Sequence, residues 1–376
     1  MGKGSLFIFM ILSVVLHAQS VTEYLKIADK NFFAGKYKEA VSGYDKVISM
    51  DTSSVHAYVN RGLSKKYTED PNGAMEDFNR AIHLNNKIYQ AYNCLGSVKS
   101  DMKNYYGAIE DFDTALILSP GNPQVLVNRA IAKRSMHDYK GGMADCDQAI
   151  IANPSYGNAY YFRAEIRDIY MRPRQTHAAI LDCDTAISLV GRTTVLLILR
   201  GIARSHAHDY TGSIVDYDTA IAIDPGDPIA YIDRSDSKYH LRDYAGSMAD
   251  CRVAIGIDST EPTAYINIGN DMDSLGDHTG AIDYYNRAIH FASDSVHLAE
   301  AYSFRGESKL ALKNPQAALQ DFELALRADP ACAEAYYARA VTNIKLKQNG
   351  GACDDLRKAL LLDKKEAEEL LLRYCK

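Results

Sequence analysis

One phrase returns along this chain at a near-constant interval, and that recurrence limits the possible fold more than any other feature. DPNGAMEDFNRAI, MKNYYGAIEDFDTAL, HDYKGGMADCDQAI, HDYTGSIVDYDTAI and RDYAGSMADCRVAI are variants of it. Anchored on the first small residue, it places Ala40, Ala74, Ala108, Gly142, Ala179, Ser213, Ser247, Ala281, Ala318 and Ala352 at steps of 34 residues, except for two of 37. A fixed period of this length means that each copy is one supersecondary unit stacked on its neighbours. The long steps put three-residue insertions near Met171 to Thr176 and near Ser293 to Leu298. Both are expected at connections, where extra length is tolerated.

Two further columns of small residues run in phase. Twelve places earlier stand Ala28, Gly62, Gly96, Ala130, Ala164, Gly201, Ser235, Gly269, Gly306 and Ala340, the fifth offset by the insertion. Seven places later stand Val47, Ala81, Ala115, Ala149, Ala186, Ala220, Ala254, Ala288, Ala325 and Ala359. Small side chains at fixed places on two helices let backbones approach closely, and a bulkier residue would overpack such a site by ~1–3 kcal/mol. Large residues, mostly Tyr (Tyr58, Tyr92, Tyr160, Tyr231), fill the gaps four places before the second column. Pro120, Pro154, Pro225 and Pro330 close second helices, whereas Pro123, Pro228 and Pro262 open first helices, where a missing N–H costs least.

From Val21 to about Lys364 the chain resembles the tetratricopeptide repeat family, with Tyr where that family usually has Trp. The resemblance implies an all-α fold: a right-handed superhelical solenoid of about ten helix-turn-helix units whose first helices line a concave face. The units fall near 21–54, 55–88, 89–122, 123–156, 157–193, 194–227, 228–261, 262–298, 299–332 and 333–364. Each unit touches only its neighbours, so the ends need covering. The amphipathic segment 365–376, KEAEELLLRYCK, reads as the cap.

Charge follows the same period. Arg61, Arg129, Arg163, Arg200, Arg234, Arg305 and Arg339 directly precede the small residue of the first helix. Asp77, Asp145, Asp182, Asp216, Asp250, Asp321 and Asp355 stand on the second helix of the same repeats. Repeats one and eight lose both partners, to Ile27/Gly43 and Ile268/Tyr284; repeat three keeps Asp111 opposite Leu95. Their distances from the turn predict ion pairs within hairpins; the alternative is two separate solvated charges.

Chemistry-bearing motifs are scarce. The recurring Asp-x-Asp (Asp111/Asp113, Asp145/Asp147, Asp182/Asp184, Asp216/Asp218) cannot chelate one ion on a helix, where residues two apart point ~200° apart. Asp271, Asp273 and Gly276 imitate the start of a calcium loop, but Leu275 and Ile282 stand where oxygen ligands belong. No phosphate loop, His-Glu-x-x-His helix or Gly-x-Ser-x-Gly elbow occurs. No cofactor, metal or catalytic residue is expected. A net charge of -6 also disfavours nucleic acid and anionic membranes.

The N-terminus departs from the pattern. Lys3, the apolar run Leu6 to Leu16, and Ala18-Gln19-Ser20 have the layout of a secretory signal peptide over 1–20, cleaved after Ala18 or Ser20. The run is shorter than the ~20 residues a membrane span needs, so no integral segment is expected after cleavage. Export, to the periplasm of a Gram-negative envelope or beyond, permits disulfides. Cys146, Cys183 and Cys251 share a core place with Phe78, Phe112 and Phe322. Cys353 and Cys375 flank the turn into the cap, and antiparallel packing would join them; two free thiols are the alternative.

These readings point to a non-catalytic scaffold that binds a peptide or protein in its concave groove. The groove face comprises Val59, Asn93, Val127, Tyr161, Glu165, Asp168, Ile198, Ile232, Asp236, Tyr239, Asp273 and Glu307. Its apolar and acidic character suits a basic, apolar ligand, unless the acids merely solvate an exposed face. A holdase-like chaperone and an enzyme with a groove-assembled site are the competing functions.

Overall fold

In the computed structural model the described residues are 20–170, 175–348 and 350–375. The signal-like segment lies outside them, save for Ser20, as do most of the first insertion and Lys376. Among the described residues every regular element is a helix. The chain divides into two compact units, residues 1–190 and 191–376.

In the first unit the helix pairs are α1 (20–33) with α2 (Tyr37–Met50), α3 (Val55–Tyr67) with α4 (Pro71–Leu84), and α5 (Tyr89–Asp101) with α6 (Tyr105–Leu118). Then follow α7 (Pro123–Ser135) with α8 (Tyr139–Ala152) and α9 (Gly157–Tyr170) with α10 (Thr176–Val190). The second unit holds α11 (Thr194–His206) with α12 (Tyr210–Ile223), α13 (Pro228–His240) with α14 (Tyr244–Ile257), and α15 (Pro262–Ser274) with α16 (His278–Phe291). It continues with α17 (Ser295–Ala311), α18 (Pro315–Ala328), α19 (Ala333–Lys345), α20 (Ala352–Leu361) and the terminal α21 (Glu366–Tyr374). The second insertion does not loop out. Asp294 caps α17 by accepting from the Val296 and His297 amides, and the extra residues become helix, giving α17 17 residues against 13 in α15.

Seven hairpins among the described residues turn through the same local device. The residue before the second helix's N-cap is left-handed, as at Lys103 (φ 63), His208 (φ 63) and Arg242 (φ 64). The following Asp or Asn then caps the helix: Asn104, Asp209 and Asp243 accept from the amides of Gly107, Gly212 and Gly246 at 3.2, 2.9 and 3.0 Å. The strained residue reverses the chain in a single step.

Inside the hairpin, size is balanced between two places. A Cβ on Gly201 or Gly269 would lie 2.6 or 2.4 Å from the ring of Tyr217 or Tyr285 on the partner helix, so glycine there seats the ring. Phe78, Phe112 and Phe322 rest on Gly62, Gly96 and Gly306 in the same way. Where the small residue is Ala130, Ala164 or Ser235, the partner shrinks to Cys146, Cys183 or Cys251, each wholly buried. The core cysteines are therefore space-fillers matched to a methyl or hydroxymethyl group opposite.

The seven Arg-Asp sites are joined, and most of the arginines also reach the preceding repeat. Arg129 donates from Nε and Nη2 to Asp145 at 2.9 and 2.5 Å, and from Nη1 to Asp113 of the preceding repeat at 2.6 Å. Arg61, Arg163 and Arg234 bridge Asp77/Asp45, Asp182/Asp147 and Asp250/Asp218 likewise, while Arg305 joins Asp321 to Asn286. Arg200 pairs with Asp216 and Arg339 with Asp355. A second cation one turn along the first helix holds the same carboxylate, as Lys133 does Asp145 at 2.8 Å. In repeat three Lys99 alone holds Asp111, and burial raises that carboxyl's pKa against the lysine's pull. The Asp-x-Asp motif thus has one member facing its own hairpin and the other facing the next.

At the C-terminus a disulfide joins Cys353 on α20 to Cys375, with Cα atoms 5.6 Å apart. Ala367, Leu370 and Leu371 cover Leu356 and Ala359.

Two outcomes follow. Asp145→Ala strands Arg129 and Lys133 in the hairpin and should cost about 3–5 kcal/mol in urea unfolding followed by circular dichroism, whereas Asp113→Ala, at an exposed partner, should cost under about 1 kcal/mol. Replacing both Cys353 and Cys375 by Ser should release α21 amides to hydrogen exchange with a loss of local protection of roughly 3 kcal/mol, leaving α3 to α8 unchanged.

Candidate functional site

Within each unit the first helices of neighbouring repeats touch one another, as α5 does α7 and α13 does α15, while second helices make no comparable contact with each other among the described residues. First helices therefore form the inner side, which is where the sequence-derived candidate residues sit.

In the first unit that side is largely closed. Val59, Asn93 and Val127 are buried between adjacent first helices, and the Asn93 Oδ1 accepts from Asn128 at 2.9 Å. Tyr161 is half-buried, its hydroxyl pKa raised by burial and by nearby Glu165. Glu165 is ion-paired with Arg134. Asp168 departs from its expected groove position: it is completely buried and offers no carboxylate to solvent. Lys66 spans to Ser97 and Asp101, and Asp29 to His56 and Asn60, so polar groups here are committed to one another.

The second unit differs. Ile232 is nearly buried and Ile198 half-buried, giving an apolar floor; Ile229 is exposed at the edge. Asp236, Glu300 and Glu307 are exposed. Partial desolvation raises all three carboxyl pKa values; Glu334 and Asp294 add to this at Glu300, and Asp273 and Glu334 at Glu307, where Lys364 works the other way. Tyr239 accepts from the Ser274 hydroxyl at 3.1 Å. Asp273 is not free for a ligand, because it accepts from Ser308 at 2.6 Å and Tyr285 at 3.1 Å and pairs with His278 at 2.8 Å.

Two further carboxylates stand here: Asp271, which the sequence offered only as part of a calcium-loop imitation, and Asp233, which it did not single out. Asp271 is completely buried against α14; burial pushes its pKa up to about 7, the nearby Ser247 hydroxyl opposing, and neither oxygen has a well-formed hydrogen bond among the described residues. From repeat two onward its register otherwise holds uncharged residues, among them Ala132, Ile166, Ala203 and Ser237, so a lone carboxylate in that column was the available signal. Asp233 stands beside Asp236 at a register occupied elsewhere by Asn60, Asn128 and Asn267. Among the described residues no group of three His, Cys, Asp or Glu could hold a metal ion, and no helix is long and apolar enough to cross a membrane.

Paired helices stacked in one order, with first helices inside, define a helical-repeat solenoid. Residues 305–368 match the family model described as Tetratricopeptide repeat, and helix pairs with the same period continue along the rest of the described chain. Its fold is similar to that of yeast Tom70 at 13% identity, covering 94% of this chain and 95% of the other with a TM-score of 0.55. It is also similar to a tetratricopeptide repeat protein from Parabacteroides merdae, at 17% identity, 71% and 99% coverage and a TM-score of 0.52. A third similar structure is PilW, described as a widely conserved type IV pilus biogenesis factor, at 16% identity, 55% and 94% coverage and a TM-score of 0.50. No curated protein sequence matches the chain.

Asp271 carries a pH signature. Its folded-state pKa lies above the unfolded value near 3.9, so the folded chain holds the extra proton and stability falls as pH rises from about 4 to 7. Asp271→Asn should gain on the order of 1–3 kcal/mol at pH 8 and little at pH 4, measured as urea midpoints at the two pH values.

Proposed function

We propose that this protein is a non-catalytic interaction scaffold that holds a segment of a partner protein, basic and apolar in character, along the inner face of α11, α13, α15, α17 and α19. One observation carries the reading: in the second unit exposed carboxylates stand beside an isoleucine floor, Asp236 facing a histidine (His240, 3.8 Å) rather than an arginine or lysine, whereas the first unit's inner face is consumed by internal pairs. A peptide laid there would bury apolar side chains on Ile198 and Ile232 and place its charges near Asp236 and Glu307. The acids raise encounter rate and select sign; the floor supplies most of the affinity.

We also propose export to an oxidising compartment. The signal-like N-terminus and the Cys353–Cys375 disulfide support it together, since such bonds persist outside the reducing cytosol.

A photo-cross-linking residue at Asp236 should capture polypeptide from the native envelope fraction, while the same residue at Val215, exposed on the second helix α12, should not. The combined Asp236→Lys and Glu307→Lys protein should lose that capture. Equal labelling at both positions, or capture indifferent to the charge reversal, would count against the reading.

A further inference from the structure

The register that contains Asp233 joins first helices to each other. Asn128 donates across to Asn93 at 2.9 Å, Asn267 to the Ser235 hydroxyl at 3.2 Å, and Asn60 to Asp29 at 3.3 Å. In all three an amide N–H reaches the preceding first helix. Repeat seven replaces that amide with a carboxylate, which has no proton to donate when ionised. The residue is half-buried, and its Oδ2 is out of contact with solvent and without a hydrogen-bond partner among the described residues. A buried acceptor of this kind is costly unless something supplies a donor.

Among the described residues no charged neighbour supplies one. Asp236 lies one turn along the same face of α13 and Asp227 caps its start, so the nearest charges on that helix repel. Beyond Asp236 stand His206 at the end of α11 and His240 at the end of α13, the latter 3.8 Å from the Asp236 carboxylate and stacked on Tyr210. The arginines of α11 are turned away, Arg200 and Arg204 both holding Asp216. On the other side Arg234 and Lys238 hold Asp250.

We propose that Asp233 and Asp236 form a receptor for one cationic side chain, a lysine ammonium of the bound polypeptide, and that acidification empties it. The inference rests on the groove reading above and names its central contact. The ammonium pairs with the Asp233 carboxylate at the inner wall and is held by Asp236 at the solvent edge. Burial and the adjacent Asp236 and Asp227 charges push the Asp233 pKa up to about 7, so in the empty groove it carries a proton through much of the neutral range. A lysine must displace that proton to bind, and proton and ligand therefore compete for one carboxylate.

The test uses the full mature chain and a fluorescein-labelled peptide alternating lysine with leucine, against the same peptide with its lysines acetylated. Fluorescence anisotropy from pH 5.5 to 8 should show the lysine peptide binding roughly 10- to 30-fold more tightly at the upper end, the range expected for competition with a proton of pKa near 7. The acetylated peptide should bind weakly at every pH. Asp233→Asn should remove most of the pH dependence and most of the affinity; Asn is the native residue at this register in repeats two, four and eight, so the fold should tolerate it. Asp236→Asn should weaken binding while keeping part of the pH slope. Affinity independent of pH, or unchanged in Asp233→Asn, overturns the receptor while leaving the groove reading intact, as does equal binding of the two peptides. Binding of neither peptide overturns the receptor as well, and with no inner-face cross-link it overturns the groove reading too.

Discussion

The close approach of two helices within each hairpin is the constraint on which the other features depend. It is set at one contact, where an aromatic ring on the second helix rests on a first-helix glycine that has no Cβ to obstruct it. Enlarging one side would force the helices apart, and cores answer such overpacking with strain of about 1–3 kcal/mol. The chain changes both sides together: Phe or Tyr opposite glycine, Cys opposite alanine or serine. Ala340 opposite Leu356 and Ala28 opposite Tyr44 are the variations, and at the latter Gly43 lets the second helix come close to Ala28 from the next place along.

Packing of this kind fixes the hairpin but says little about how one hairpin meets the next. The arginines address that. Each guanidinium presents a fork of donors in fixed geometry, so it can hold a buried Asp bidentately and still offer Nη1 to the preceding repeat. Arg129 joining Asp145 to Asp113 is one such bridge, and Arg234 joining Asp250 to Asp218 is another. Tyrosine rings one turn earlier, such as Tyr58 beneath Arg61 and Tyr231 beneath Arg234, lie about 5.4 and 5.5 Å from the guanidinium and keep it in place. Charge here orders the stack; it is not surface decoration.

The inner face inherits its properties from the same spacing. Because first helices touch, a side chain pointing along the line between them is buried whatever its type, and one pointing out is free for a partner. Val59, Val127 and Asp168 fall in the first class and Asp236 and Glu307 in the second, though all share the same broad face of their helices. A helix face drawn from a period of 3.6 cannot separate the two, since the neighbouring helix shadows only part of it.

Residue spacing alone made the helix pairs, their order and their turns legible, because a period of 34 with small residues at three fixed places has one economical packing. It made the arginine and aspartate columns visible, and the cysteines at either side of the last turn. It did not reveal that one arginine serves two repeats, that the inserted residues before His297 extend a helix, or that Asp271 and Asp233 are carboxylates set where amides and small residues usually stand. Those depend on which side chain faces which neighbour. That facing is a property of two helices at once and is fixed only when the repeats have stacked.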